Sequence, residues 1–115
     1  MKRAVIATLT AGVVLAASPS AATAARERTC EPVRNPYPNS RYEGVDVTHI
    51  RAVNASCKTA RRVARRAHRK ALGLPLPPDG ILRFTWNGWR VRGDLRPDHD
   101  RYGARKGTRR VRWRF

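Results

Sequence analysis

Arginines at alternate positions are the groups in this chain best suited to chemistry. Arg83, Arg90 and Arg92 form one set, and Arg110, Arg112 and Arg114 another. A guanidinium presents five donors in a planar fork that grips phosphate or carboxylate two bonds at a time. Residues spaced by two point to the same side of a β-strand. If the last strand pairs with the strands that carry the first set, the two sets stand together across three strands as one basic face able to bind anionic polymers. The whole chain has 25 Lys+Arg against 8 Asp+Glu, for a net charge of +17. A GC-rich coding bias would favour Arg over Lys, and the abundant Ala fits such a bias. It would not remove acids, so the basic excess needs a further reason.

Groups for catalysis are sparse. His49, His68 and His99 are the only histidines. A nuclease-like hydrolase would need an acid/base pair, drawn here from His49, Glu43 or His99, with arginine to stabilise the phosphorane. No spacing singles out such a set. His68 falls among helix arginines, whose charge disfavours its protonation. Asp98-His99-Asp100 reads as a polar turn, because consecutive side chains rarely aim at one ion. No metal site, cofactor motif or phosphate-cradling glycine loop is expected. Ser40 and Ser56 are the serines beyond the leader, neither within Gly-x-Ser-x-Gly.

The first 24 residues read as a secretory signal peptide. Lys2 and Arg3 precede an apolar run from Ala4 to Ala17, and Ala22-Thr23-Ala24 supplies small residues for cleavage between Ala24 and Ala25. The run is short of the roughly 20 residues that span a bilayer. Cleavage leaves residues 25–115, one small domain with no transmembrane segment and 23 Lys+Arg against 8 Asp+Glu. Outside the cell the two cysteines, Cys30 and Cys57, are expected to pair, which stabilises the fold by roughly 3–4 kcal/mol on the chain-entropy account.

These residues must be positioned by a modest set of elements. Residues 25–43 hold Pro32, Pro36 and Pro38 and predict an extended arm tied down at Cys30. Val45 to Val53 predicts a strand whose apolar phase shifts at His49, the mark of a bulge. Ser56 predicts an N-cap for a helix over 57–72, stopped by Gly73 and Pro75. Its apolar face (Ala60, Val63, Ala64, Ala67, Ala71) is built of small side chains, as suits close approach to a sheet with large ones. Asn87-Gly88 predicts a type I′ hairpin that pairs Trp86 with Trp89, Phe84 with Val91 and Leu82 with Gly93. Residues 110–115 predict a last strand with Val111, Trp113 and Phe115 facing inward. The tryptophans are thus expected in the core rather than as stacking platforms. The fold class is α+β: a small antiparallel sheet in the order β-α-β-β-β, with one helix on its apolar face.

The pattern Ile50-x-Ala52-x-x-x-Ser56-Cys57-x-x-Ala60-x-x-Val63, followed by a Trp-containing hairpin and a basic last strand, resembles uncharacterised small secreted proteins of actinobacteria. The resemblance covers roughly residues 45–115. It implies secretion and an α+β shape, and it assigns no activity. Three classes of function follow from the residues. The favoured one is non-enzymatic binding of anionic polymers: cell-wall polymer, nucleic acid or an anionic lipid surface. A small secreted hydrolase and a protein-binding inhibitor or toxin-like module are the alternatives.

Overall fold

The computed structural model describes residues 26–115, so the leader and its Ala24–Ala25 junction lie outside the described residues. Six strands and one helix follow in order: β1 (Arg28–Cys30), β2 (Thr48–Val53), α1 (Cys57–Leu72), β3 (Ile81–Trp86), β4 (Trp89–Asp94), β5 (Arg101–Lys106) and β6 (Arg109–Arg114). They form one antiparallel sheet ordered β1-β2-β6-β5-β4-β3. The α+β class stands, but the expected β-α-β-β-β series gains two strands. One is β1, inside the proline-rich arm. It is three residues long and sits at the sheet edge, where the prolines that follow do no harm. The other is β5, which separates the β3–β4 hairpin from β6. The last strand therefore does not neighbour the hairpin.

Local sequence explains most of these elements. Asn87 and Gly88 take φ of 46° and 81°, the left-handed pair that a type I′ turn demands. The β3–β4 register is Trp86 opposite Trp89, Phe84 opposite Val91 and Leu82 opposite Gly93. Ser56 caps α1 by accepting a hydrogen bond from the Thr59 N–H at 3.1 Å. The β2–β6 ladder slips between Thr48 and Arg51, and His49 takes φ of 52° there, so the phase shift is a bulge. Cys30 and Cys57 form a disulfide with Cα atoms 5.4 Å apart. It ties the edge strand to the start of the helix.

The core lies between α1 and one sheet face. Ala60, Val63, Ala64, Ala67 and Ala71 of the helix are buried against Ile50, Ala52, Leu82, Trp89, Val91, Tyr102, Val111 and Trp113. Small helix side chains thus meet large sheet side chains. Trp89 and Trp113 are buried, while Trp86 is only half-buried at the edge of the cluster.

His68 corrects a sequence expectation. It is fully buried rather than lying among the helix arginines. Tyr37 reaches in from the arm, and its hydroxyl stands 3.0 Å from the Arg65 carbonyl and 2.8 Å from His68 Nδ1. The hydroxyl has one proton. Giving it to the carbonyl lets His68 Nδ1–H donate to the Tyr37 oxygen and leaves Nε2 as a bare lone pair. That assignment avoids an orphaned buried N–H on the ring, and Nε2 indeed has no partner among the described residues. Phe115 and Tyr102 wall in the imidazole, with ring centroids 4.1 and 4.9 Å away. Loss of hydration on burial, not the nearby arginines, pushes the His68 pKa down to about 4.

Candidate anion-binding face

The face of the sheet turned away from α1 is built from the polar positions of every strand. Antiparallel sheets tolerate one solvated face, and here the register orders its side chains into rows. One row runs Arg83, Arg92, Gly103, Arg112, Arg51 across β3, β4, β5, β6 and β2. The next runs Thr85, Arg90, Arg105, Arg110, Val53. On the other flank Arg101 pairs with Arg114. Neighbouring strands lie about 4.8 Å apart, and alternate residues along a strand about 6.8 Å apart. The arginines thus form a grid at two fixed spacings.

The grid curves into a concavity of about 740 Å³. Five of the six arginines expected from the sequence line it: Arg83, Arg90, Arg92, Arg110 and Arg112. Arg114 does not. It is half-buried and sits beside Arg101 and His49 at a separate hollow of about 150 Å³. Arg105 also lines the concavity and was not foreseen, because β5 was not. Its signal was the alternation Arg101, Gly103, Arg105 ahead of Gly107, whose φ of 62° suits the turn into β6.

Carboxylates engage the two ends of the first row, Arg83 and Arg51, and Arg112 beside the floor at Gly103. Glu27 accepts three hydrogen bonds from Arg112, at 2.6, 2.7 and 3.0 Å, and one from Arg51 at 3.4 Å. The hydrogen bond from Arg112 is the main reason the Glu27 pKa lies below its usual value. Asp79 meets Arg83 at 3.4 Å. Asp94 is taken by Arg96 at 2.8 Å, which holds its carboxyl well below the usual range. Arg90, Arg92, Arg105 and Arg110 are exposed and make no ion pair among the described residues.

Gly103 floors the concavity. A Cβ placed there would meet no atom within 4 Å, and its backbone is not left-handed. Nothing in the fold requires glycine at this point. Its outward side therefore presents bare backbone between Arg92 and Arg112.

No protein-family model, curated protein or solved structure matches this chain. The geometry alone therefore carries the functional reading. Of the acid/base candidates, His99 is exposed in the loop after β4, His49 is at the β2 bulge and Glu43 is exposed in the turn before β2, while the third histidine, His68, is in the core. Ser56 is occupied as a helix cap, and the Ser40 hydroxyl donates to the Tyr37 carbonyl at 2.7 Å. Among the described residues, no three His, Cys, Asp or Glu side chains are placed to share a metal ion.

Proposed function

We propose that the protein is a secreted, non-enzymatic binder of anionic polymers that carry phosphodiester groups. The observation that supports this best is the row Arg90–Arg105–Arg110. Three like charges stand directly opposite one another on adjacent strands with no carboxylate among them. Directly opposed like charges destabilise a sheet. Coding bias could raise the number of arginines, but it does not stack them in register over an open floor. A bound polyanion relieves the repulsion and accepts the unshared guanidinium donors. Polymers suit the face better than a lipid bilayer, because the large exposed apolar side chains among the described residues are Val45 and Leu76, neither of them on it.

Binding of this kind releases counterions, so affinity falls linearly with salt on a log–log plot. The test compares wild type with a variant in which Arg90, Arg105 and Arg110 are Gln. Duplex DNA and poly(glycerol phosphate) serve as ligands over a range of salt. The variant is expected to fold normally and to bind DNA more weakly, with a salt slope lower by up to ~0.9 for each phosphate no longer neutralised. Equal affinity and an equal slope would remove the face as the site.

A further inference from the structure

The second basic surface lies on the opposite side of the molecule. The sequence of α1 contains no acidic residue. Ala60, Val63, Ala64, Ala67 and Ala71 turn toward the sheet, which leaves Arg61, Arg62, Arg65, Arg66, Arg69 and Lys70 exposed on the outward side. Arg62 with Arg66, and Arg65 with Arg69, are like charges one helical turn apart, an arrangement that destabilises a helix. None of these residues makes an ion pair among the described residues. Arg61 and Lys70 are engaged with backbone carbonyls, at Pro32 and Thr85 respectively. The others are not. Arg65, Arg66 and Arg69 border a groove of about 740 Å³ against Pro36 and Tyr37 of the arm, with the half-buried Trp86 on its rim.

We propose that the protein binds two phosphodiester chains at once, one on the arginine grid and one in the helix groove, and so bridges them. This rests on the function proposed above and adds a second site and an activity. The two surfaces face in opposite directions, because α1 packs on the sheet face that the grid does not use. The two surfaces approach each other at the β3 edge, where Lys70 of the groove meets the Thr85 carbonyl. Between the middle of the grid and the outer helix arginines lie one sheet layer and one helix of 10–12 Å diameter, on the order of 20 Å in all. That exceeds the Debye length of about 8 Å at physiological ionic strength, so charge bound on one surface does not satisfy the other. Duplex DNA has a persistence length of about 150 base pairs and cannot fold around so small a body to reach both. Two duplexes are therefore needed to engage both surfaces.

The experiment mixes short duplexes carrying a donor fluorophore with duplexes carrying an acceptor. Energy transfer reads bridging, and anisotropy of the same samples reads binding. Two variants are compared with wild type: Arg90, Arg92, Arg105 and Arg110 to Gln on the sheet, and Arg62, Arg65, Arg66 and Arg69 to Gln on the helix. Circular dichroism confirms that both fold. Wild type is expected to give energy transfer that rises with protein and is lost again at protein excess, when each duplex has its own binders. Each variant is expected to bind duplex with a lower salt slope and to give no energy transfer, alone or mixed with the other. Energy transfer preserved in the helix variant would overturn the proposal and assign bridging to a second copy of the protein. A sheet variant that binds no duplex would also overturn it, since the helix groove would then not be a site, while the function of the grid would stand. Wild type that binds no duplex overturns it together with the proposed function. Repeating the arms with poly(glycerol phosphate) as competitor shows whether the phosphodiester or the nucleic acid itself is held.

Discussion

Gly93 on β4 and Gly103 on β5 lie close together in one sheet but face opposite ways. On the inner face, a Cβ at Gly93 would run into the ring of Tyr102. That ring stacks on Trp113 with centroids 5.3 Å apart and planes only 4° from parallel. On the outer face, a Cβ at Gly103 would meet nothing. The first glycine is explained by the molecule's own packing. The second is not, and neither are the opposed arginines around it. The inner face is determined by what fills it from within, and the outer face by what comes to it from outside.

The contrast is sharpest for large aromatic side chains. Trp113 is among the largest fully buried side chains. Replacing it with Ala should cost about 3–5 kcal/mol, enough to unfold much of a small domain. Arg112→Gln, one position away on the other face, should cost under about 1 kcal/mol, since its pair with Glu27 is exposed. Urea denaturation of both variants reads the difference. Similar losses from the two would erase the distinction between the faces.

Acid should attack the inner face first. An unfolded chain protonates His68 near 6.5, whereas the folded core keeps it neutral down to about 4. Its contribution is therefore complete above pH 6.5, declines as the pH falls below that, and is gone once the pH has passed through about 4. The full loss is on the order of 3 kcal/mol. Glu27 and Asp94, whose pKa values are lowered by arginines, act in a more acidic window. Stability measured from about pH 7 to about pH 4 should fall in wild type and stay nearly flat in His68→Gln, where the amide N–H can still donate to the Tyr37 oxygen. A parallel decline in the variant would place the acid sensitivity elsewhere.

How much of this was legible depended on whether the cause was local. Asn87-Gly88 fixes a turn and, through it, a register, so half of the arginine grid could be read directly. Ser56 and the run of helix alanines behaved likewise, as did the phase shift at His49. β5 escaped because Arg101-Tyr102-Gly103-Ala104-Arg105-Lys106 has no β-branched residue, and its two central positions are poor strand formers. It is a strand because β4 and β6 both pair with it. The Tyr37–His68 clasp escaped because it joins residues 31 apart, and no local pattern says which helix position the arm will cover. The grid was thus foreseen in its charge and orientation, but not in its extent or in its separation from Arg114.

The glycine pair gives a finer test. Gly93→Ala should cost about 1–3 kcal/mol, because the aromatic ring against it is held on its other side by Trp113 and cannot retreat without strain. The opposite sign is expected at Gly103. Its backbone conformation is open to any residue, and Ala there reduces the freedom of the unfolded chain, a gain of about 0.4–1 kcal/mol. If Gly103→Ala instead destabilises the protein, the floor serves the fold after all. Gly103→Val separates stability from use. A β-branched residue suits a strand, so its melting temperature should be no lower than that of wild type. Its two methyl groups would stand between Arg92 and Arg112, where a phosphate must approach the backbone. Weaker DNA binding by this more stable variant, with the salt slope reduced as in the arginine variants, would show that the glycine is kept for its ligand. Unchanged binding would mean that polyanions rest on the guanidinium tips alone and never reach the floor.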